Sequence, residues 1–215
     1  MVDLELVIGN KNRSSWSMRP WVLLTHLGVP FRETLLRYHP PSPEWLARMP
    51  LISPSGRVPV LLIDGQSVWE SLSIMEAIAE LVPPGGVWPE DAAARRVARS
   101  LAAEMHAGFT ALRTHCTMDI ARRAAPAPLA DGVAADLERL ALAWRDARAR
   151  FSAGGPFLFG GFTAADAMFA PVATRVRTYG VDLPADARAY VDALLAQRAV
   201  AAWVAGAEAE INGTA

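Results

Sequence analysis

Cysteine is almost absent. The 215 residues include only Cys116, so no intramolecular disulfide can form and an oxidising compartment would add nothing to the fold. A reducing, cytoplasmic setting is expected. An excess of one charge sign is missing as well, with 21 basic groups against 22 acidic ones and a net charge of −1. Without a basic surplus, sequence-independent attraction to DNA or RNA is excluded, and nucleic acid is not an expected partner. No stretch approaches the ~18 uninterrupted apolar residues of a membrane span. The opening MVDLELVIGN has acids where a secretory leader needs a basic start, so an unprocessed protein without a membrane partner is expected. Lysine occurs once, at Lys11, and the accompanying surplus of Arg and Ala is attributed to base composition before function. What is present, 52% hydrophobic and 20% charged residues, suffices for a substantial core and excludes a disordered chain.

Alanine divides the chain in two. Residues 1–76 hold only Ala47, whereas the remaining 139 hold 39 of the 40 alanines. The first part carries short β-branched runs at 4–8 and 58–63 between amphipathic stretches, the pattern of alternating strands and helices. The second is rich in Ala, Leu and Arg, which favours consecutive helices. The breaker cluster VPPGG at 82–86 separates them, giving domains 1–82 and 90–215 joined by a linker at 83–89. The spacing predicts strands at 4–8, 31–36, 58–63 and 67–69, with helices at 15–27, 43–48 and 71–81. Asp64 and Gly65 read as a hairpin turn. A βαβ unit followed by ββα is the order of a thioredoxin-like domain. Helices at 91–123, 132–152, 163–179, 185–196 and 199–210 would follow, broken by Pro126, Pro128, Gly154, Gly155, Pro156 and Pro184.

Four local features carry possible chemistry. The stretch RSSWSMR, Arg13 to Arg19, sits between the first strand and first helix. Its serines are ordinary helix caps on one reading; on the other, a hydroxyl at the positive end of a helix stabilises a thiolate or other anion. Val58 and Pro59 open the third strand. A proline there suits an edge, but a cis bond would present the Val58 N–H and C=O to an extended peptide. Glu70 and Ser71 precede the third helix, with Ser71 its natural cap. A carboxylate beside a helix N-terminus also fits the ammonium and carboxylate of a free amino-acid group. Thr163 to Asp166, TAAD, is a capping-box variant that anchors a core helix and supports folding rather than chemistry.

In this order and spacing, the chain from about residue 4 to 205 resembles the glutathione S-transferase superfamily. SSWSMRPW at 14–21, PSGRVP at 54–59, WES at 69–71 and AEMHAGF at 103–109 are most similar to a bacterial serine-type group near the zeta and tau classes. The resemblance implies a thioredoxin-like N-terminal domain with an all-helical C-terminal domain, glutathione as co-substrate, no metal or redox cofactor, and a homodimer. It implies that Ser14 hydrogen-bonds the glutathione sulfur, with Ser15 as the competing candidate. It places Val58 and Pro59 on the cysteinyl backbone, Glu70 and Ser71 on the γ-glutamyl end, and Arg57 on the glycyl carboxylate. The zeta pattern R-S-S-C has Trp16 at its cysteine position here, which separates this chain from a straightforward maleylacetoacetate isomerase.

A small hydrophobic electrophile is the expected second substrate. Met105, His106, Phe109 and Arg113 are spaced for one face of the first long helix and are assigned to its pocket. Arg175 and Arg177 are candidates to receive an anionic substrate, against the plain reading of solvated helix charges. His106 also reads as an interface histidine and Cys116 as buried packing. The alternatives are a zeta-like maleylacetoacetate isomerase, against which Trp16 at the cysteine position counts, and a non-catalytic glutathione- or ligand-binding protein of the same fold, whose mark would be a lost hydroxyl or a lost Glu-Ser pair. Neither is lost.

Overall fold

Strand β1, Leu4–Ile8, is buried along its whole length because it lies inside a sheet covered on both faces. The computed structural model describes residues 2–38, 40–124 and 127–213. Chain order gives α1 at Ser15–Leu27, β2 at Arg32–Leu35, α2 at Pro43–Ile52, β3 at Val60–Ile63, β4 at Gln66–Trp69 and α3 at Ser71–Leu81. β1 pairs parallel with β2 and antiparallel with β3, which pairs antiparallel with β4. The sheet order β2-β1-β3-β4 is the thioredoxin-like arrangement expected from the sequence. Alternation along β1 sends Leu6 and Ile8 to the face under α1 and α3, and Val7 to the face shared with Leu36, Met49, Val60 and Leu62. Asp64 and Gly65 form the β3–β4 turn with positive φ at both positions, as the sequence reading requires.

The helical domain contains α4 at Ala92–Ala107, α5 at Thr110–His115, α6 at Val133–Phe151, α7 at Ala164–Tyr179, α8 at Ala185–Ala196 and α9 at Arg198–Ile211. The single helix expected over 91–123 is therefore two, and neither passes residue 115. The break lies at Gly108 and Phe109. Gly108 donates its N–H to the Glu104 carbonyl at 2.8 Å, and a Cβ there would sit 2.9 Å from that oxygen. Phe109 then turns left-handed at φ 56°, which buries its ring. A lone glycine in a helical pattern is normally tolerated, so periodicity alone missed the stop. The other differences are smaller: β2 and β3 are shorter than 31–36 and 58–63, and α2 is longer than 43–48. Pro126, expected as a break, lies outside the described residues.

Helix α7 is the hub. Nearly all its residues are buried, and it packs on α1, α4 and α8, joining the two domains. Its start is the expected capping box, with Asp166 accepting the N–H and the hydroxyl of Thr163 at 2.9 and 2.8 Å. Leu158 N–H and the Tyr190 hydroxyl complete four donors on one fully buried carboxyl. Burial pushes that carboxyl up to about 6, against the pull of the four donors. Among the described residues, no helix is long and apolar enough to cross a membrane.

Candidate active site

The site begins where β1 runs into α1. Ser14 is the N-cap of α1: it accepts the Ser17 N–H at 3.4 Å and donates its own proton to Ser17 Oγ at 2.7 Å. Of the two serines read as helix caps, Ser14 is the one that caps. Ser15 opens the helix, and its hydroxyl accepts from the Arg175 guanidinium at 3.4 Å across 160 residues of sequence. Both serines are buried, and both lie at the positive end of a 13-residue helix.

A cleft of about 260 Å³ lies at the same end of the sheet, lined by Trp16, Ser55, Arg57, Val58, Pro59, Glu70, Ser71 and His106. All five residues assigned to glutathione from the sequence line it. Ser14 and Ser15 are not among its lining residues. The Val58–Pro59 bond is cis. Ser71 opens α3 rather than capping it; the cap position falls on Glu70, and the Ser71 hydroxyl accepts from Arg19 Nη1 at 3.3 Å. Glu70 has φ 68°, a left-handed conformation that a residue with a Cβ adopts at a cost of about 1–3 kcal/mol. That strained backbone holds the Glu70 carboxylate half-exposed at the cleft, with Oε2 3.7 Å from His106 Nε2. Burial, and then repulsion from Arg19, lower the His106 pKa against the pull of Glu70, and so favour the neutral imidazole.

The second-substrate assignments separate in space. His106 joins the cleft, and Arg113 places its guanidinium 5.3 Å from the Trp16 ring while donating to the His106 carbonyl. Met105 and Phe109 are core residues. Arg175 is buried, donates Nε–H to the Cys116 carbonyl at 2.8 Å, and leaves Nη1 without a partner among the described residues. Arg177 is half-buried on the same helix, and Cys116 is buried packing with its thiol pKa raised by desolvation.

Sequence reasoning passed over Arg19. It is 1% exposed, its guanidinium lies 4.2 Å from the Trp16 ring, and its Nε is also unpartnered among the described residues. An arginine inside the apolar stretch from Met18 to Leu24 was the available signal. Burial lowers its pKa to about 9 and that of Arg175 to about 10, with repulsion from Arg113 adding to both. Three guanidiniums thus converge around the start of α1, where they favour any anion, a thiolate included. Among the described residues, no group of three or more His, Cys, Asp or Glu side chains could hold a metal ion.

A thioredoxin-like sheet with a serine-capped first helix, followed by a helical domain, defines a two-domain class of fold. The comparisons narrow it. A family model described as the glutathione S-transferase N-terminal domain matches residues 13–81. A protein of Rhizobium meliloti (strain 1021), named maleylacetoacetate isomerase, is 32% identical over 191 residues, spanning 84% of this chain and 86% of its own. A glutathione transferase homologue from Burkholderia, solved with bound glutathione, superposes with a TM-score of 0.70 at 22% identity, covering 96% of this chain and 98% of that one. The tau-class enzyme of mango, Mangifera indica, gives 0.67 at 19% identity, covering 99% of each. The chain belongs to the glutathione S-transferase superfamily.

Proposed function

We propose that this protein is a glutathione transferase whose second substrate is a small electrophile carrying a carboxylate or similar anionic group. The observation that carries the substrate class is the convergence of Arg19, Arg113 and Arg175, two of them buried with N–H groups unpartnered among the described residues. Buried donors left unpaired cost free energy, and an anion between them would recover it. Residues 1–82 are read as the glutathione-binding domain, 83–89 as the linker and 90–215 as the helical domain.

Glutathione would lie in the cleft, its γ-glutamyl end on Glu70 and Ser71, its cysteinyl backbone along Val58 and Pro59, and its glycyl carboxylate towards Arg57. Ser14 is proposed to meet the sulfur, with Ser15 as the competing hydroxyl. Ser14 now gives its proton to Ser17, a neutral acceptor; handing that proton to a thiolate exchanges a neutral hydrogen bond for a charge-assisted one, which is favourable. The thiol proton passes to water, and the thiolate forms the C–S bond either as a conjugated double bond opens and its carbon takes a proton from water, or as a leaving group such as halide departs. A second reading is supported by the relative named maleylacetoacetate isomerase. There the thiolate adds to a conjugated double bond, the resulting single bond rotates, and elimination returns the same thiolate.

Both readings require glutathione to retain the protein on, and elute it from, a glutathione matrix, and Glu70→Gln to weaken binding by about 1.5–3 kcal/mol. An unchanged dissociation constant in that variant removes the glutathione assignment. Arg175→Gln should raise KM for an anionic electrophile at least tenfold while leaving KM for a neutral aryl halide nearly unchanged. Equal effects on the two would remove the anionic substrate class.

A further inference from the structure

The serine loop is held from outside its own domain. Lys11 N–H donates to Glu210 Oε2 at 2.6 Å, and the Asn10 side-chain amide donates to Glu210 Oε1 at 2.7 Å. Glu210 lies in the last turn of α9. Earlier on that helix, Trp203 donates its indole N–H to the Lys11 carbonyl at 3.0 Å. Between them Gly206 admits Lys11 so closely that a Cβ there would lie 3.0 Å from Lys11 Cδ. The Asn10 carbonyl passes this restraint on, accepting the N–H groups of Ser14 at 2.8 Å and Arg13 at 3.1 Å. One carboxylate on the last helix therefore fixes the residue whose carbonyl sets the Ser14 backbone.

Close packing restrains the Lys11 side chain at Gly206 but not the Asn10 side of the loop. Beside the loop lies a cleft of about 450 Å³ lined by Asn10, Asn12, Arg13, Asp119 and Glu210 among others, so hydrogen bonds are the restraint on that side. A carboxylate suits the place because both groups facing it are donors, and an ionised acid accepts at both oxygens.

We propose that Glu210 is a positioning residue of the thiol site, setting the orientation of the Ser14 turn from the end of α9. This role rests on the glutathione reading above. Its content is that the activation of the thiol, and not the affinity for glutathione, depends on the C-terminal helix. Arg57, Glu70 and Ser71 make no contact with Glu210 in this network, so binding should be spared.

The test is Glu210→Gln, which keeps the volume but turns one acceptor into a donor facing a donor. The titration midpoint of the glutathione thiol bound to the variant should rise, and kcat at pH 7 should fall roughly tenfold and recover as the pH is raised, with the affinity for the protonated thiol, measured below both midpoints, nearly unchanged. Amide exchange at Lys11 and Ser14 should quicken. Glu208→Gln, exposed on the same helix, should behave as wild type. A Glu210→Gln protein whose thiol titrates as wild type, or whose rate loss follows only a lower melting temperature, overturns the role and leaves the glutathione reading standing. A wild-type protein that neither binds a glutathione matrix nor lowers the thiol pKa overturns that reading, and the role with it.

Discussion

Ser14 and Ser15 are neighbours with different surroundings, and that difference is measurable. Ser14 faces Ser17 and the sheet end; Ser15 faces Arg175. If Ser14 supplies the hydroxyl to sulfur, Ser14→Ala should raise the pKa of bound glutathione, so activity at pH 7 falls and returns as the pH is raised. The weak 3.4 Å cap it also makes implies a loss of stability no greater than about 1 kcal/mol. Ser15→Ala should leave the thiol titration in place and act instead on KM for an anionic electrophile, through Arg175. Ultraviolet titration of the thiolate in both variants decides it: a shift confined to Ser15→Ala exchanges the two roles. Arg57, Val58, Pro59, Glu70 and Ser71 could be grouped from the sequence because each stands in a short motif, and they line one cleft; Ser14 and Ser15 do not line it. Arg19 was not legible in the sequence, since its meaning lies in what surrounds it: Ser71 and Trp16 give it a function only once α1 and α3 are packed.

At the scale of elements, Glu5 shows how a charged residue can belong in a central strand. Its side chain is almost fully buried on the α2 side of β1, accepting from the Thr34 hydroxyl at 2.6 Å and from Arg48 of α2 at 2.6 Å, with Arg32 at 2.9 Å. Burial alone would raise its pKa, but the Thr34 and Arg48 hydrogen bonds and both guanidinium charges overcome that and leave it below the ordinary value. A depressed carboxyl pKa contributes stability that is complete above the unfolded value of about 4.3 and is lost as pH falls through the folded one. Glu5→Gln should therefore cost about 1–3 kcal/mol at pH 7, given that both arginines keep some access to water. The difference from wild type should shrink below about pH 4. Urea melts at pH 7 and pH 3 check this; an equal difference at both would mean that volume and not charge is responsible. Helix and strand positions were largely readable from periodicity and caps, α1, α3 and α8 to the residue. The α4–α5 break was not, because what stops the helix at Gly108 is the burial of Phe109, a tertiary gain that no local pattern records.

The two domains meet along α7, and the candidate site draws on both: Ser15 and Arg19 come from one, Arg113 and Arg175 from the other. Composition separated a strand-bearing part from a helical one, yet nothing in the sequence could bring Ser15 to Arg175 before the helices packed. A further level of assembly is proposed, a two-fold homodimer in which the outer surfaces of α3 and α4 are covered. Leu81 at the end of α3 and Trp69 just before it are among the exposed large hydrophobics, and Glu76 and Arg99 pair across α3 and α4 at 3.0 Å with both side chains near half-exposed. In an isologous interface every contact occurs twice, so one substitution is felt at two places. Light scattering at micromolar concentration should give twice the chain mass. Leu81→Glu should then place a charge in each of two symmetry-related apolar contacts and shift the equilibrium towards monomer, while the far-ultraviolet circular dichroism stays that of the folded chain. A monomer mass for the wild-type protein, or a dimer indifferent to Leu81→Glu, would place the interface elsewhere or remove it.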